Sequence, residues 1–371
     1  MSRHLAWIFL GVMTLAASAP LEALNYEVGG CRTGSTYVNF ATISAAVSAV
    51  PAGATILICA GVYPEQVTIT HPLTLKGIPS GNANRAVIVA SANGNFAPNV
   101  TSINGPPFYA QILIENVTPA GVVNLTGITI DGNGINFDCP SLSPQHLAGV
   151  FYASGTSGTV NQVTARNQLS TSASGACGEG IWAENGAGTQ TVNITNSSVR
   201  NIGDSGITAT SSNSSGSVAI KTNFVIDTGV GFTGAGIADF SAGQVSGNVV
   251  THNPTTAIIT GGPMTMQGNT VADLTWAFDI SGSDITVQSN YISNVQVGIA
   301  IEGGSPIVKS NTITHTSGCA LSFRYNSNNA TITGNHINDS PYAFANLSGP
   351  LPSHNVLFNV DSVQGSTTTC P

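Results

Sequence analysis

Apolar and polar positions recur with a regular period in the second half of the chain. Five segments share one pattern, in which an asparagine follows a small or polar residue and lies between apolar positions: Val245-Ser-Gly-Asn248-Val-Val, Met266-Gln-Gly-Asn269-Thr-Val, Val287-Gln-Ser-Asn290-Tyr-Ile, Val308-Lys-Ser-Asn311-Thr-Ile and Ile332-Thr-Gly-Asn335-His-Ile. Their asparagines are 21, 21, 21 and 24 residues apart, and looser copies lie upstream at Asn223 and Asn196. Self-similarity of this period indicates a repeat architecture.

Each repeat also carries a small residue followed by an apolar one, as in Gly180-Ile181, Gly236-Ile237 and Gly298-Ile299. The apolar residues between these points alternate, which is typical of strands of three to five residues. Such a unit cannot bury its apolar side alone, so successive units are expected to stack in parallel about 4.8 Å apart. Leucine-rich repeats and propeller blades need other patterns. The chain is therefore predicted to be all-β, a single-stranded right-handed parallel β-helix whose asparagines bond from coil to coil.

The ends of such a stack must be covered against edge pairing. Phe40, Ile43, Val47 and Val50 fall at helical spacing, and Pro51 ends the pattern. These positions predict a short N-terminal capping helix within a cap at 38–53, followed by coils at about 54–347 and a C-terminal tail at 348–371.

The first residues resemble an export signal, with Arg3 and His4 before the apolar stretch Leu5–Ala17. We predict a signal peptide at 1–19 and one β-helix domain at 20–371. A retained N-terminal anchor is the alternative, although the apolar run is shorter than the roughly 20 residues of a membrane span. The protein is accordingly expected to be secreted, periplasmic or on the cell surface.

Composition narrows the set of partners. Charged residues make up 7% of the chain, hydrophobic residues 42%, and the formal net charge is −8. Because the sequence contains no basic cluster, neither nucleic acid nor an anionic membrane is expected as a partner. No later segment is long and apolar enough to span a bilayer. A polysaccharide is the expected partner, and the protein is expected to be a monomer.

Six cysteines follow the signal, and an even number in an exported chain favours disulfides. We predict the pairs Cys31–Cys59, Cys139–Cys177 and Cys319–Cys370. No spacing is typical of a zinc site. No cofactor is evident, and the sequence leaves a calcium requirement open.

The segment from Phe40 to about Ala90 contains Gly61-Val-Tyr63-Pro-Glu65, then Val67-Thr-Ile69 and Leu73-Thr-Leu75-Lys-Gly77. It resembles the first coils of pectin methylesterases in the pectin-lyase-like superfamily, and this resemblance implies the same fold. The catalytic aspartates of that family are absent, since Asp239-Phe240 has no Gln-Asp partner upstream. The motifs of polygalacturonases are absent as well.

Aligning the repeats on the asparagine reveals a second position, four residues later, that is rich in ionisable side chains: Arg200, Asp227, His252, Asp273, Asn294, His315 and Asp339, with Asp131 and Arg166 before them by looser alignment. This row, called the ridge here, has two interpretations. In the structural one, turn-forming residues of alternating charge stabilise neighbouring coils. In the catalytic one, His252 transfers protons between Asp227 and Asp273 while Arg200 holds a uronate carboxylate.

Arg166, Trp182 and Glu184 are the candidate substrate-binding residues, because the longest coils lie between Asp131 and Asn248. The predicted function is an exported β-helix that binds polysaccharide of pectin or uronate type and cleaves it as a lyase or glycoside hydrolase. The alternative is a non-catalytic cell-surface or adhesion scaffold, and the sequence leaves open whether the protein is an enzyme.

Overall fold

The computed structural model describes residues 25–370 apart from several short segments. Those segments are 33–35, 80–84, 91–96, 104, 106, 134, 136–145, 171–176, 186–189, 212–216, 230–233, 254, 326–328 and 366–369. The predicted signal peptide at 1–19 lies outside the described residues, so it stays a prediction, as do the predicted domain bounds.

The described residues form one helix and 33 strands. In chain order the first half contains β1 Asn25–Val28, β2 Tyr37–Phe40, α1 Ile43–Ala49, β3 Ala54–Ile58, β4 Gly61–Pro64, β5 Val67–Ile69, β6 Leu73–Gly77, β7 Ala86–Val89, β8 Val100–Thr101, β9 Pro107–Ile114, β10 Val122–Thr126, β11 Ile128–Asp131, β12 His146–Tyr152, β13 Ser157–Asn161, β14 Thr164–Gln168, β15 Gly178–Asn185 and β16 Thr191–Thr195. The second half contains β17 Ser198–Ile202, β18 Ile207–Ser211, β19 Ser217–Lys221, β20 Phe224–Thr228, β21 Ala235–Phe240, β22 Ala242–Ser246, β23 Val249–Thr251, β24 Thr256–Thr260, β25 Met264–Gln267, β26 Thr270–Ile280, β27 Ile285–Gln288, β28 Tyr291–Ile301, β29 Ile307–Lys309, β30 Thr312–Phe323, β31 Thr331–Thr333, β32 His336–Ala345 and β33 Val356–Gly365.

The strands form two sheets, one of 13 and one of 20 strands, so the architecture is not one uninterrupted sheet. Each coil contributes to three faces. Face A consists of the 13-stranded sheet, β1, β2, β3, β6, β10, β13, β16, β19, β22, β25, β27, β29 and β31. Face B consists of β4, β7, β11, β14, β17, β20, β23 and the first parts of β26, β28, β30, β32 and β33. Face C consists of β5, β9, β12, β15, β18, β21, β24 and the second parts of the same long strands. All pairings are parallel except that of β8 with β9.

The recurring asparagines form the predicted ladder between faces A and B. From Asn223 to Asn335, each backbone N–H and each side-chain Nδ2 donates to the Oδ1 of the next asparagine, at 2.9–3.0 Å. The side chains of these asparagines are buried, at 0–2% exposure. Because every buried amide is satisfied by the coil above or below, the ladder fixes the register of the stack. Its structural role is confirmed.

Helix α1 lies within the segment predicted to be helical. Its buried residues Ile43, Ala46 and Val47 join the main apolar core and contact β1 and β5. Glu65 stabilises its first turn, since the carboxylate accepts from the backbone N–H of Ile43 at 2.8 Å and of Ser44 at 2.9 Å. The glutamate of the Gly61-Val-Tyr63-Pro-Glu65 segment therefore accepts hydrogen bonds from backbone N–H groups that have no partner within the helix.

Two of the predicted disulfides, Cys31–Cys59 and Cys319–Cys370, are present. Cys177 is also disulfide-bonded, but Cys139 lies outside the described residues, so their pairing stays a prediction. Among the residues described, no helix has the length and apolar character needed to cross a membrane.

Candidate functional site

Three ionisable side chains meet where neighbouring strands of face C begin. His146 is the first residue of β12, Glu179 is the second residue of β15, and Asp204 lies in the turn before β18. One ring nitrogen of His146 and one carboxylate oxygen each of Glu179 and Asp204 all lie within 4.8 Å of one another. His146 Nδ1 is 3.8 Å from Glu179 Oε1. These residues, called the face C triad here, lie beside an aromatic cluster that is separate from the main core, since the His146 ring stacks on Phe108 of that cluster.

Glu179 is the buried centre of the triad, at 2% exposure. Its Oε2 accepts from Thr208 Oγ1 at 2.9 Å, and its carboxyl group also accepts from the backbone N–H of Ser205. The carboxyl groups of Glu179 and Asp204 are hydrogen-bonded to each other, which requires a proton on one of them.

Burial raises the pKa of Glu179 to about 8, although the hydrogen bonds from Thr208 and Ser205 oppose the rise. Burial, with the negative charge of Glu179 beside it, raises the pKa of Asp204 to about 7. The pair therefore retains a proton near neutral pH and can act as an acid there.

The imidazole of His146 stacks on Phe108 with ring centroids 4.9 Å apart. Burial lowers the pKa of His146, although the charge of Asp204 opposes the change. The imidazole is therefore neutral near pH 7 and able to accept a proton, directly beside a protonated carboxyl pair. An acid and a base with pKa values displaced in opposite senses are what acid–base catalysis requires.

An aromatic cluster joins the triad to a second carboxylate. Trp182 packs 4.7 Å from Phe108 and 6.2 Å from Phe151, and its Nε1 donates to Glu184 Oε1 at 3.2 Å. Ser102 Oγ donates to the same oxygen at 2.5 Å, and the backbone N–H of Ile103 donates to the carboxylate as well. Burial raises the pKa of Glu184, and these hydrogen bonds oppose the rise.

Glu184 lies at the wall of a cleft that opens beside face C. The cleft is lined by Pro98, Asn99, Val100, Thr101, Ile103, Pro107, Glu115, Asn116, Ala153, Ser154 and Glu184. Of the sequence-predicted residues, Trp182 lies beside the triad, with its ring 6.3 Å from that of His146, and Glu184 is joined to the triad only through Trp182. Trp182 faces outward as expected but is only 9% exposed, because the aromatic cluster covers it. Their roles in substrate binding stay predictions.

The ridge residues lie elsewhere, at the turn between faces B and C. Asp227, His252 and Asp273 are exposed and have φ values of 52°, 55° and 61°, in the left-handed region. The same conformation occurs at Asn167, Asn201, Asn294, His315, Asp339 and Asn359. Asn and Asp, and to a lesser degree His, are the non-glycine residues that most readily adopt it, which accounts for the residue types of the ridge.

The predicted alignment of Arg200 with the ridge is wrong by one residue, and so is that of Asp131 and Arg166, which stand in register with it on β11 and β14. Ser197, not Asn196, occupies the ladder position, because its backbone N–H donates to Asn223 Oδ1 at 2.9 Å. Arg200 consequently pairs in register with Arg166 and Ile226 on face B, and Asn201 takes the ridge position beside Asp227. Arg200 therefore does not stand in one row with Asp227, His252 and Asp273. The proposed catalytic roles of these four residues stay predictions.

The face C triad also has a donor set able to hold a metal ion. One imidazole nitrogen with two carboxylates suits zinc or a similar transition metal better than calcium, which prefers oxygen ligands alone. A second group of potential ligands, Glu27, Cys31 and Cys59, has its sulfur atoms in a disulfide.

The triad is hard to find from the sequence. Its members are 33 and 25 residues apart, in the coils with the longest insertions. Relative to the small–apolar pair of each coil they stand at different offsets, with Glu179 one residue and Asp204 two residues before the glycine. The sequence feature that could have revealed the triad is an ionisable residue one to three positions before the small–apolar pair in three neighbouring coils.

Comparison with known proteins supports the fold. A family model described as "Right handed beta helix region" matches residues 179–337. The A-module of a mannuronan C-5 epimerase from Azotobacter vinelandii superposes with a TM-score of 0.57 and 15% identity, over 85% of this chain and 91% of that one. The chain therefore has the fold of a right-handed parallel β-helix.

Two further solved structures are similar to this β-helix. A lacto-N-biosidase from Eubacterium ramulus has a TM-score of 0.53 and 11% identity, over 92% of this chain and 66% of that one. A DFA-IIIase from Arthrobacter chlorophenolicus A6, solved without its lid, has a TM-score of 0.51 and 14% identity, over 94% and 92%. At these identities the likeness shows the fold alone. A search of curated proteins by sequence finds no match.

Proposed function

We propose that this β-helix is an exported protein that binds a polysaccharide along face C and cleaves it at the face C triad. The observation that carries the proposal is the hydrogen-bonded carboxyl pair of Glu179 and Asp204 beside the imidazole of His146. The names of two similar structures, a mannuronan C-5 epimerase and a lacto-N-biosidase, support a carbohydrate substrate. Helix α1 would close the N-terminal end of the stack, and the two disulfides favour an oxidising compartment.

The spacing of the carboxyl groups favours one mode of catalysis. The two carboxyl groups of a retaining glycosidase stand about 5 Å apart and those of an inverting one farther still. Glu179 and Asp204 share a hydrogen bond and are therefore too close for separate roles as acid and nucleophile. Glu184 follows Glu179 by five residues, about 16 Å along an extended strand, which is too far for the second role.

We therefore assign the carboxyl pair as one proton donor and His146 as the acceptor. The pair donates its proton to the glycosidic oxygen as the C–O bond breaks. His146 takes a proton either from an attacking water, which gives hydrolysis, or from the carbon next to a uronate carboxylate, which gives elimination. In both cases the proton count balances, and the pair regains its proton from His146 or from solvent.

The test is incubation with pectic, alginate and neutral glycans, followed by detection of new reducing ends and of unsaturated products. The wild type should cleave at least one glycan, and the nature of the ends separates hydrolysis from elimination. His146→Ala should lower the rate by about 100-fold or more, as expected on loss of a general base.

His336→Ala is the matched control, because His336 is an exposed histidine on face B of a late coil. It should retain the wild-type rate. If no glycan yields product, or if His146→Ala keeps full activity, the triad is not a cleavage site. The first result would favour the non-catalytic scaffold.

A further inference from the structure

Face B of the early coils carries a local excess of positive charge. Three of the nine Lys and Arg residues of the chain, Arg85, Arg166 and Arg200, lie on this face. Arg166 and Arg200 are direct register partners on β14 and β17, about 4.8 Å apart. Arg85 Nη1 is 3.5 Å from Thr164 Oγ1, two residues before Arg166 on the same side of β14.

Only one acidic side chain balances these charges within the described part of the chain. Arg166 Nε and Nη2 each lie 2.8 Å from Asp131 Oδ2, and Asp131 Oδ1 accepts from Asn167. Both carboxylate oxygens of Asp131 are thus occupied, Oδ2 by Arg166 and Oδ1 by Asn167. Arg85 and Arg200 make no ion pair among the described residues, and like charges directly opposed on neighbouring strands repel.

An apolar surface continues directly from Arg200. Phe224, on the next strand, pairs with Ser198 and is 44% exposed, and Val249 follows in the same row at 37% exposed. Guanidinium groups beside an exposed aromatic ring match a sugar that carries a carboxylate, because the ring can cover the apolar side of the sugar while arginine binds the carboxylate in a bidentate manner. The net charge of −8 argues against nucleic acid as the anion.

We propose that Arg85, Arg166, Arg200 and Phe224 form a binding site for uronate-containing polysaccharide. The site lies on face B, whereas the triad lies on face C, so it anchors the polymer without taking part in chemistry. It stands apart from the proposed cleavage function, since the four residues bind the polymer whether or not the triad is active.

The experiment measures binding of polygalacturonate oligomers by calorimetry in 20 mM and 200 mM salt, in a Glu179→Gln background so that no ligand is consumed. Arg200→Glu should weaken binding about tenfold or more at low salt, and by less at high salt because screening reduces the attraction. Arg200→Lys should lose less, since it keeps the charge but not the bidentate geometry. Phe224→Ala should also weaken binding.

Lys309→Glu is the matched control, with the same change of charge on face A. It should bind like the parent. The proposal is wrong if Arg200→Glu binds as tightly as the parent, if Lys309→Glu loses as much, or if the parent binds no polyuronate. A neutral xylan oligomer that binds equally well, or dextran sulfate that replaces polygalacturonate with the same dependence on Arg200, would overturn the assignment to uronates. Circular dichroism of each variant verifies folding.

Discussion

The early and late coils of this β-helix follow the same plan but use it differently. In the late coils, from β22 to β31, the asparagine ladder is unbroken and the repeats are 21 to 24 residues long. In the early coils the ladder position holds Ser197 and, before it, Val163, whose backbone N–H donates to Ser197 Oγ at 3.2 Å. The early coils also have the long connections in sequence between faces B and C, as from Asp131 to His146 and from Gln168 to Gly178.

The difference shows how stability and chemistry are distributed along one stack. The late coils bury asparagines whose every polar group is paired, which stabilises the register. The early coils bury ionisable groups, including Glu179 with its pKa raised to about 8. A buried group with a displaced pKa costs stability when it is charged, and such a cost is characteristic of functional sites. Regular coils thus support irregular ones that carry the candidate site.

The largest effect is expected from Glu179→Gln in the early coils. The pKa of Glu179 is about 8 in the folded protein, against 4.5 for an ordinary glutamate such as that of the unfolded chain. Glu179 therefore favours folding below about pH 4.5 and loses this contribution as the pH rises to 8. Glutamine does not titrate and can still accept from Thr208. The variant should therefore gain about 2 kcal/mol or more in unfolding free energy relative to the wild type between pH 5 and pH 9, since each pKa unit corresponds to about 1.4 kcal/mol.

Urea denaturation at both pH values measures this gain. Cleavage by the same variant should fall by about 100-fold or more. Asp361→Asn, an exposed acid on β33, is the control and should show no such pH-dependent gain. Parallel pH profiles for Glu179→Gln and the wild type would refute the assignment of Glu179 as a group kept protonated by burial.

A smaller effect is expected in the late coils from Asn290→Ala. The substitution leaves the backbone N–H and Nδ2 of Asn269 without their acceptor and the carbonyl of Met266 without its donor. Unsatisfied buried groups of this kind cost about 1–3 kcal/mol, with no direct effect on the triad. Asn290→Ser should cost less than Asn290→Ala, because Ser197 shows that a hydroxyl accepts a backbone N–H at this position. Equal losses for Ala and Ser would mean that the ladder contributes little through these hydrogen bonds.

The same contrast explains which features were predictable from the sequence. The ladder from Asn248 to Asn335 and the parallel strands follow from a period that repeats with little change, and Cys31–Cys59 follows from its place at the start of the stack. The position of Arg200 was predicted wrongly because Ser197 occupies the ladder position in this coil. Asn196, one residue earlier, was aligned with the ladder in its place. The triad was missed because insertions change the spacing between His146, Glu179 and Asp204, so their proximity depends on a register that only the folded stack defines.

The smallest effect is expected on the ridge, where His252→Asn separates the two candidate sites. His252 has a φ of 55°, and asparagine tolerates this conformation well, so the unfolding free energy should change by less than about 0.5 kcal/mol. His252→Ala should cost about 1 kcal/mol, because alanine lacks the local hydrogen bonds that ease the left-handed conformation. If the triad performs the chemistry, both variants cleave glycan at the wild-type rate. If His252 is the proton-transfer group between Asp227 and Asp273, both lose activity while His146→Ala keeps it. Rates of the three variants on one glycan, with their urea denaturation curves, therefore assign the chemistry to face C or to the ridge.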